Sequence, residues 1–409
     1  MSGAGSLVLA LNAGSSSLKS ALFRIGEHEE PQVLARAEVT RLDAEPQLRR
    51  YDSNGQLLSE QRWPQRVNAR TESFLPDILT ALDRSHPDEA LSAVGHRVVH
   101  GGERFHGPVR VDTEVLQALH ELVPLAPLHQ PHNVALIQAM SALQPQLPQV
   151  ACFDTAFHHT LPPNIASYAL PESIRSLGVR RYGFHGLSYE YIAQALPRVA
   201  PDIARGRVIV AHLGAGASLC ALQAGRSVDT TMGFTPLDGL PMSTRCGALD
   251  PGALLYLQRR GWSATTLENL LYQHSGLLGL SGISGDMRTL LASNEPAARM
   301  AVEVFVLRVA REIGALSVSL GGFDALVFTG GIGENAPVIR ARICEPLRWL
   351  GMDLDPQSND AGELRLSQAT SRISVWRIPT DEDWIVARHT WRTVFNDQGL
   401  DAPGRRAAT

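Results

Sequence analysis

The chain has 409 residues, 44% hydrophobic and 19% charged, which is enough for two domains with separate cores. Its net charge of −4 argues against a nucleic-acid-binding protein, because such proteins need a basic surface, and its four scattered cysteines argue against a disulfide framework. The N-terminus lacks a basic signal-peptide region and no apolar run approaches the roughly 20 residues of a membrane span, so we expect a cytoplasmic protein.

The first predicted element is a β-hairpin. Residues 6–11 are short, continuous and apolar, which is typical of a buried strand. Residues 12–17 (NAGSSS) turn the chain, and residues 18–25 (LKSALFRI) predict the second strand. The segments up to about residue 72 are rich in polar residues and Pro, and residues 73–82 have a helical pattern.

Strands and helices then alternate. Residues 93–102 predict a strand that enters a loop, and apolar residues at helical spacing predict helices over 113–125 and 133–144. Residues 149–157 predict a strand that delivers Asp154 at its C-terminal end. This alternation indicates an α/β fold.

The second half of the chain repeats the hairpin. Residues 207–231 again read as strand, glycine-rich tip and strand, which indicates two lobes with one hairpin each and a boundary near residue 150. Residues 325–335 predict a strand that ends in a glycine loop, followed by a helix over 336–350. Such a loop favours phosphate or ribose binding, although its spacing matches neither the P-loop nor the GxGxxG motif of a Rossmann oxidoreductase.

Arginines and histidines are concentrated in five short segments bounded by Gly or Pro, none of which has a helical pattern. These are GHRVVHGGERF (95–105), PLHQPHN (127–133), FDTAFHHTLP (153–162), RRYGFHG (180–186) and STRCGALDPG (243–252). Arg97 and Arg245 indicate a site for phosphate and carboxylate oxygens, because a guanidinium offers a matching fork of donors. Zinc is disfavoured, because His96 and His100 are spread too far along a strand and lack an HExxH glutamate.

Eight motifs resemble the acetate kinase family, in the order LNAGSSSLK, GHRVVHGGE, FDTAFH, RRYGFHG, DTTMGFTPLDGL, SGLLGLSGISGDMR, FTGGIGEN and IPTDED. The resemblance extends from about residue 7 to about residue 390. It implies an α/β fold of two similar actin-like (ribonuclease H-like) lobes with the active site in the cleft between them. It also implies a homodimer. The expected parts are an N-terminal lobe (1–150) with a C-terminal helix at about 385–396 packed on it, a nucleotide-binding lobe (151–384) and a flexible tail (397–409).

The activity implied by the resemblance is reversible phosphoryl transfer between ATP and acetate, giving acetyl phosphate and ADP by direct in-line transfer with Mg²⁺ or Mn²⁺. The implied catalytic residues are Arg97, Asp154, His185, Arg245 and His129. Arg97 and Arg245 would overcome the repulsion between two anions, and His185 would stabilise the transition state. Acetate is already ionised at pH 7, so we expect Asp154 to orient an arginine or the magnesium ligands rather than act as a base.

The resemblance assigns three further sets of residues. The metal ligands are Asn12 and Glu382, whose oxygen donors suit Mg²⁺. The nucleotide-binding residues are Lys19, Ser15, Ser17, His212, Leu213, Gly214, Ala215, Gly216, Asp286, Met287, Arg288, Gly331, Ile332, Gly333, Glu334 and Asn335. The residues expected to line a small pocket for the acyl methyl group are Val99, Leu128, Phe184 and Pro236.

Some motif positions depart from the family pattern. Ala215 replaces an Asn, Ala248 replaces an Asp, Leu187 and Tyr189 replace Thr and His, and His132 is added. These changes leave open the nucleotide affinity, the orientation of Arg245 and the phosphoryl donor, for which pyrophosphate is an alternative. A propionate or butyrate kinase is the alternative enzyme, since one methylene changes binding by only ~1–3 kcal/mol. A nucleotide-binding regulator without turnover is the alternative from another class, although it would not need both arginines.

Overall fold

The structure is a computed structural model that describes residues 5–14, 17–26, 30–42, 44–67, 69–83 and 89–396. Its strands are β1 (Ser6–Ala13), β2 (Leu18–Ile25), β3 (Gln32–Thr40), β4 (Gln47–Asp52), β5 (Leu57–Arg62), β6 (Leu91–Val98), β7 (Val109–Arg110), β8 (Gln149–Phe153), β9 (Arg207–Leu213), β10 (Ala217–Gln223), β11 (Arg226–Thr230), β12 (Ala325–Thr329) and β13 (Ser374–Arg377). Its helices are α1 (Leu75–Asp83), α2 (Thr113–Glu121), α3 (Gln130–Leu143), α4 (Pro163–Ala166), α5 (Glu172–Arg175), α6 (Gly186–Val199), α7 (Pro251–Arg259), α8 (Ala264–Gln273), α9 (Gly276–Ser281), α10 (Met287–Ala292), α11 (Pro296–Leu320), α12 (Gly330–Asn335), α13 (Pro337–Cys344), α14 (Pro356–Ala361) and α15 (Glu382–Trp391). The expected nucleotide contact at Ser15 and the expected tail at 397–409 lie outside the described residues.

The described chain forms two compact units. The first unit contains the described residues up to Ala156 together with those from Asp381 onward, and the second contains Phe157–Thr380. Helix α15 belongs to the first unit although it comes last in the chain, because it packs on β1, β2, β6 and β8.

Each unit contains a mixed sheet with the same arrangement of five strands. In the first sheet the strand order is β5-β4-β3-β2-β1-β6-β8-β7, and in the second it is β11-β10-β9-β12-β13. Strands β1, β2 and β3 are antiparallel neighbours, as are β9, β10 and β11. Strands β6 and β8 then add in parallel to β1, as β12 and β13 do to β9. The repeated topology confirms the prediction of two similar α/β lobes.

The sheet of the first unit is covered on both faces, which explains the continuous apolar sequence of β1. One face packs against α1 and α3 in a core that includes Leu9, Phe74 and Met140. The other face carries Gly95 of β6, where an added Cβ would lie 2.1 Å from the Oγ1 of Thr390 in α15. Glycine at this position therefore lets α15 approach the sheet closely and sets the position of its N-terminal residue, Glu382.

The second unit has its own core around β9 and β12. Helix α6 contributes Tyr189, Ile192 and Leu196, which pack with Val208 and Val327 of the sheet. Helix α11, at 25 residues, packs on β10 and on helices α9, α10 and α13. Among the described helices, none is long and apolar enough to cross a membrane.

Three features differ from the sequence expectations. The polar stretch before residue 72 contains β3, β4 and β5, which its weak pattern of alternating small residues did not predict. The PLHQPHN segment is not free of helix, because α3 begins at Gln130, before the predicted start at 133. The glycine loop after β12 is itself the short helix α12, and the helix predicted over 336–350 ends at Cys344 before a 3₁₀ turn.

Candidate active site

In the first unit, four predicted site residues meet at the C-terminal ends of three neighbouring strands and the start of α15. Arg97 in β6 donates from Nε to Asp154 Oδ1 at 3.1 Å and from Nη2 to Asp154 Oδ2 at 2.5 Å. Its Nη1 donates to Asn12 Oδ1 in β1 at 3.0 Å. Glu382 Oε2 lies 3.9 Å from Arg97 Nε. Parallel strands bring their carboxyl ends to one edge of the sheet, where polar side chains can reach a ligand.

The charges of this cluster are strongly coupled. The Asp154 side chain is 1% exposed, and Arg97 is 18% exposed. Burial disfavours the charge on Arg97, but Asp154 and Glu382 outweigh this effect and raise the pKa of the guanidinium. Both carboxylate oxygens of Asp154 are engaged by the same arginine, a geometry that suits orientation of Arg97 better than proton transfer.

Carboxylates flank Glu382 on both sides. Arg36 bridges the two neighbours, at 2.6 Å from Asp381 and 3.1 Å from Asp383. Burial raises the pKa of Asp383 to about 6, opposed by Arg36 and reinforced by Asp381 and Glu382. Arg36 therefore holds the two flanking carboxylates, while Glu382 approaches Arg97.

The oxygen donors of this cluster fit a magnesium ion. Asn12 Oδ1 and the Glu382 carboxylate both lie next to the Arg97 side chain, and hard oxygen ligands suit Mg²⁺. Among the described residues, no group of three or more His, Cys, Asp or Glu side chains could hold a metal ion. An ion bound here would thus take most of its ligands from water and phosphate, which is how Mg²⁺ commonly binds.

The remaining predicted residues of the first unit surround this cluster in different ways. Lys19 is exposed on β2 and is the cross-strand partner of Asn12, while the Ser17 carbonyl accepts the N–H of Gly14 at the hairpin turn. Val99 is buried just after β6, and Leu128 and His129 are half-buried before α3. His96 and His100 are not on one strand, because β6 ends at Val98.

In the second unit, His185 is held in a backbone conformation that few residues adopt. It has φ 57° and ψ 23°, in the left-handed region, immediately before α6. Its Nδ1 lies 2.8 Å from Ser218 Oγ, and its ring stacks on His212 with centroids 4.4 Å apart. A non-glycine residue in this region indicates a backbone fixed by its surroundings.

His185 and Arg245 converge at Gly216. A Cβ placed on this glycine would lie 3.1 Å from His185 Nε2 and 3.9 Å from Arg245 Nη1. Arg245 Nη1 also donates to the carbonyl of Pro236 at 3.1 Å. A histidine nitrogen and a guanidinium nitrogen thus lie near the same glycine, and both kinds of group can bind an anionic oxygen.

A cavity of about 650 Å³ lies in the same unit. Its predicted lining residues are Gly214, Ala215, Asp286, Met287, Arg288, Gly331, Ile332 and Asn335, and it is completed by Ser243, Leu291, Ala336, Pro337 and Val338, which the sequence did not predict. The volume is typical of a small-molecule site, and the wall is mostly backbone and apolar side chains. Arg288 is exposed and pairs with Asp286 at 2.6 Å, which lowers the pKa of the Asp286 carboxyl.

Some residues predicted to bind nucleotide are not among the residues that line the cavity. His212 Nδ1 lies 2.8 Å from Ser188 Oγ. Gly333 is buried, and Glu334 turns back on its own helix, where its Oε1 accepts from Gly330 N at 2.9 Å and from Thr380 N at 3.2 Å. The side chain of Glu334 therefore stabilises the start of α12 instead of lining the cavity.

Two residues without an assigned role support these groups. Buried His158 donates from Nε2 to the Phe184 carbonyl at 2.9 Å, and burial lowers the pKa of His158 to about 4. Buried Arg340 donates to the carbonyls of Gly333 and Glu334 at 3.0 and 2.9 Å. His158 lies in the FDTAFHH segment singled out from the sequence, whereas Arg340 sits in a helix with no sequence signal for a role.

The residues that depart from the motif pattern differ in their burial and in their contacts. Leu187 and Tyr189 are buried on α6, whereas Ala215 is exposed in the cavity wall. Ala248 is exposed, and its N–H donates to the Gly239 carbonyl. His132 is half-buried on α3. Arg245, whose orientation the departure at Ala248 concerns, donates from Nη1 to the Pro236 carbonyl at 3.1 Å.

Comparison with known proteins gives one consistent result. The model of the acetokinase family matches residues 7–388. An acetate kinase of Rhodopseudomonas palustris is 53% identical over 393 residues, which cover 94% of this chain and 98% of the relative. An acetate kinase of Methylocella silvestris is 49% identical, with 94% of this chain and 96% of the relative covered.

Solved structures of similar proteins agree with this result. The crystal structure of Porphyromonas gingivalis acetate kinase has a TM-score of 0.83 at 35% identity, with 95% of this chain and 100% of that chain covered. The structure of a propionate kinase from Francisella tularensis has a TM-score of 0.86 at 36% identity, with the same coverage.

Proposed function

This chain belongs to the acetokinase family, and from that premise we propose that it is an acetate kinase, which transfers a phosphoryl group reversibly between ATP and acetate. The reaction gives acetyl phosphate and ADP. The observation that carries the proposal is the family match over residues 7–388, in which Arg97, Asp154, His185 and Arg245 all occupy their expected motifs. A protein that bound nucleotide without turnover would not need both arginines.

The chemistry assigned to Arg97 and Arg245 is neutralisation of negative charge. Acetate and the γ-phosphate repel each other, so in-line attack of a carboxylate oxygen on phosphorus needs fixed cations. Arg97 donates hydrogen bonds to Asp154 and Asn12, which fix the orientation of its guanidinium. Arg245 would offset the charge that develops on the equatorial phosphoryl oxygens.

His185 would donate a hydrogen bond to the transferring phosphoryl group. Its Nε2 lies on the same side of Gly216 as the guanidinium of Arg245. Attack by an acetate oxygen forms the new P–O bond as the bond to the ADP oxygen breaks, and no proton must be removed from acetate at neutral pH. In this proposal Asp154 positions Arg97 and does not act as a base.

Magnesium is the metal that we propose for this reaction. Asn12 and Glu382 would hold it, since both present oxygen atoms beside Arg97. When bound, the ion would neutralise charge on the phosphate oxygens. The protein's own part is to place these two ligands, which it does through β1 and the N-terminus of α15.

The cavity in the second unit is the site that we propose for the nucleotide. Glycine at positions 214 and 331 would let the backbone approach phosphate or ribose, because neither carries a side chain. Ala215 would remove one side-chain hydrogen bond from this wall, while the open volume of about 650 Å³ favours a nucleotide over pyrophosphate as donor.

We also propose that the protein forms a homodimer. Helix α7 buries none of its residues, and it exposes Leu255 and Tyr256 at 52% and 60%. An exposed apolar helix face of this kind favours a homodimer, which sedimentation velocity would detect as a species of twice the 44.4 kDa chain mass.

Propionate is the alternative substrate, because a propionate kinase shares this fold and a methylene changes binding by only about 1–3 kcal/mol.

The proposed activity is tested by measuring acyl phosphate as its hydroxamate. Purified protein is incubated with Mg-ATP and either acetate, propionate or butyrate, and ADP release is measured in parallel. We expect the highest kcat/KM with acetate and loss of turnover on chelation of magnesium. A several-fold higher kcat/KM with propionate or butyrate would reassign the substrate, and no hydroxamate with any of the three acids would favour a regulator.

A further inference from the structure

We propose that Tyr189 and Ser218 are positioning residues that hold His185 as a neutral imidazole with its proton on Nε2. The inference rests on the proposed function, because it concerns how His185 presents a donor to the phosphoryl group. Tyr189 is one of the positions at which the sequence departs from the expected motif pattern.

The three groups form a continuous hydrogen-bonded chain. Ser218 Oγ lies 2.5 Å from the Tyr189 hydroxyl and 2.8 Å from His185 Nδ1. Both Tyr189 and Ser218 are 0% exposed, so water does not compete with these bonds. Ser218 comes from β10 and Tyr189 from α6, which fixes the two hydroxyls on separate packed elements.

The donor and the acceptor in each of these hydrogen bonds follow from the number of protons that each group carries. A serine hydroxyl has one proton and can donate to one neighbour while it accepts from another. A phenol is a stronger donor than an aliphatic alcohol, so Tyr189 donates to Ser218 and Ser218 donates to His185 Nδ1. Nδ1 is then an acceptor, and the remaining ring proton of the neutral imidazole must be on Nε2.

The position of Nε2 explains why the Nε2–H tautomer of His185 would matter for the reaction. Nε2 lies near Gly216, where an added Cβ would be 3.1 Å from Nε2 and 3.9 Å from Arg245 Nη1. An Nε2–H in that place can donate to an anionic oxygen, whereas the other tautomer would direct a lone pair at it.

The backbone around His185 is fixed by a buried histidine, His158. His158 Nε2 donates to the Phe184 carbonyl, and its Nδ1 lies 2.8 Å from Ser227 Oγ. The residue before His185, Phe184, is thus held by a hydrogen bond to its carbonyl, which helps to fix the left-handed conformation of His185. A ring placed this firmly responds to the loss of Ser218 through its protonation and orientation rather than through a shift of its backbone.

The direct test is ¹⁵N NMR of the full-length protein labelled at histidine, which distinguishes the two neutral tautomers. The His185 signals are assigned by their loss in His185→Asn, since Asn tolerates the left-handed region. We expect Nε2–H for His185 in the unmutated protein and a mixture of tautomers in Ser218→Ala. His185 found as the Nδ1–H tautomer in the unmutated protein would overturn the proposal, whether or not any variant folds.

Kinetics provide the second readout. We expect Ser218→Ala to lower kcat about tenfold or more, with KM for ATP and acetate changed less than about threefold, because a donor used in the transition state is weakened. Tyr189→Phe should lower kcat by a smaller factor, and Ser218→Thr, which keeps the hydroxyl, should recover most of the loss.

A control separates this effect from the loss of a hydrogen-bonded tyrosine hydroxyl elsewhere in the protein. Tyr51→Phe deletes a tyrosine hydroxyl that donates to Glu38 in the first unit, and it should leave kcat unchanged. Wild-type kcat in Ser218→Ala would contradict the proposal. If the unmutated protein makes no acyl phosphate yet His185 carries its proton on Nε2, the proposed function fails and the tautomer assignment stands.

Discussion

Arg97 and Arg245 carry the same charge in different surroundings. Arg97 is paired with the buried Asp154 and lies near Glu382, so its charge is part of the folded core of the first unit. Arg245 is half-buried and its side chain donates to the Pro236 carbonyl. Removal of Arg97 leaves a buried carboxylate without its partner, whereas removal of Arg245 leaves the Pro236 carbonyl without this donor.

This difference predicts that substitution of Arg245 affects mainly kcat, whereas substitution of Arg97 affects both kcat and stability. We expect Arg245→Ala to lower kcat by about 10²-fold or more while the free energy of unfolding changes by less than about 1 kcal/mol. Arg97→Ala should lower kcat as well, but it should also destabilise the protein by about 3–5 kcal/mol, because Asp154 is left buried and charged. The hydroxamate assay and denaturant unfolding measure the two quantities.

The double variant Arg97→Ala, Asp154→Asn is the control for this comparison. Neutralising the carboxylate should recover part of the lost stability without recovering kcat. An unchanged kcat in Arg245→Ala would remove Arg245 from the mechanism.

Sequence reasoning worked at the residue scale where residues stood in dense motifs. Arg97, Asp154 and Asn12 were named from three separate segments, and the structure brings them together. Arg340 was not named, since its role depends on carbonyls that α12 presents only once it is folded. Glu334 was assigned to the nucleotide, and nothing in the sequence indicates that its side chain turns back to Gly330 N.

At the element scale, the wall of the cavity in the second unit depends on a helix of six residues that cannot be stable alone. Helix α12 begins at Gly330, which has φ 75°, and an added Cβ there would lie 2.9 Å from the Leu213 carbonyl oxygen. Glu334 caps its start, and Arg340 binds its last carbonyls. Arg340 is anchored in turn by Asn359 of α14, at 2.9 Å from Oδ1. Loss of Arg340 should therefore loosen one side of the cavity.

We accordingly expect Arg340→Met to raise the KM for ATP by about tenfold while the KM for acetate changes less than about threefold. The physical reason is that several buried carbonyls would lose their donor, at a cost of about 1–3 kcal/mol each. Steady-state kinetics with each substrate varied in turn measure the split. Arg342→Met, two residues further along α13, is the matched control and should leave both constants unchanged. An equal rise in both KM values would contradict a role limited to the nucleotide wall.

The elements with strong periodicity were predicted well, and those that depend on tertiary contacts were not. The strand β1 and the helices α1 and α2 have clear apolar patterns. Strand β3 buries Ala35, Ala37 and Val39, and two of these are too small to give an apolar signal. Strand β5 is exposed throughout and takes its conformation from pairing with β4. Patterns of burial cannot reveal a strand that buries so little.

For the molecule as a whole, buried neutral histidines link stability to pH. Burial lowers the pKa of His96 in the first unit and of His158 in the second to about 4. An unfolded histidine has a pKa of about 6.5, so between pH 6.5 and pH 4 the unfolded chain binds more protons than the folded one. Stability is therefore present above pH 6.5 and is lost as the pH falls towards 4.

Replacement of His96 tests this link. We expect His96→Gln to reduce the dependence of unfolding free energy on pH, between pH 6.5 and 4, by up to about 1.4 kcal/mol per pH unit, the slope of one proton. Glutamine can still donate to Gln149 Oε1, which His96 Nε2 contacts at 2.7 Å. Hydrogen exchange measured on peptides of the first unit follows the effect separately from the second. A slope equal to that of the unmutated protein would show that His96 is not responsible.

The architecture was the part of the whole molecule that sequence reasoning recovered most fully. Two glycine-tipped hairpins, about two hundred residues apart, indicated a repeated lobe, and each proves to be the β1–β2 or β9–β10 pair of the same five-strand arrangement. The strands added at the edges of the first sheet, β4, β5 and β7, have no counterpart in the second sheet as described, and no repeat could predict them.

The membership of α15 in the first unit has a consequence for how the protein is made. A ribosome releases β1, β6 and β8 early, but the helix that covers one face of their sheet emerges only after the whole second unit has been synthesised. That apolar face must remain uncovered, or be shielded by a chaperone, for most of translation. The half of the chain that is synthesised first is completed last, and a nascent chain that stops short of Glu382 lacks the carboxylate that lies beside Arg97.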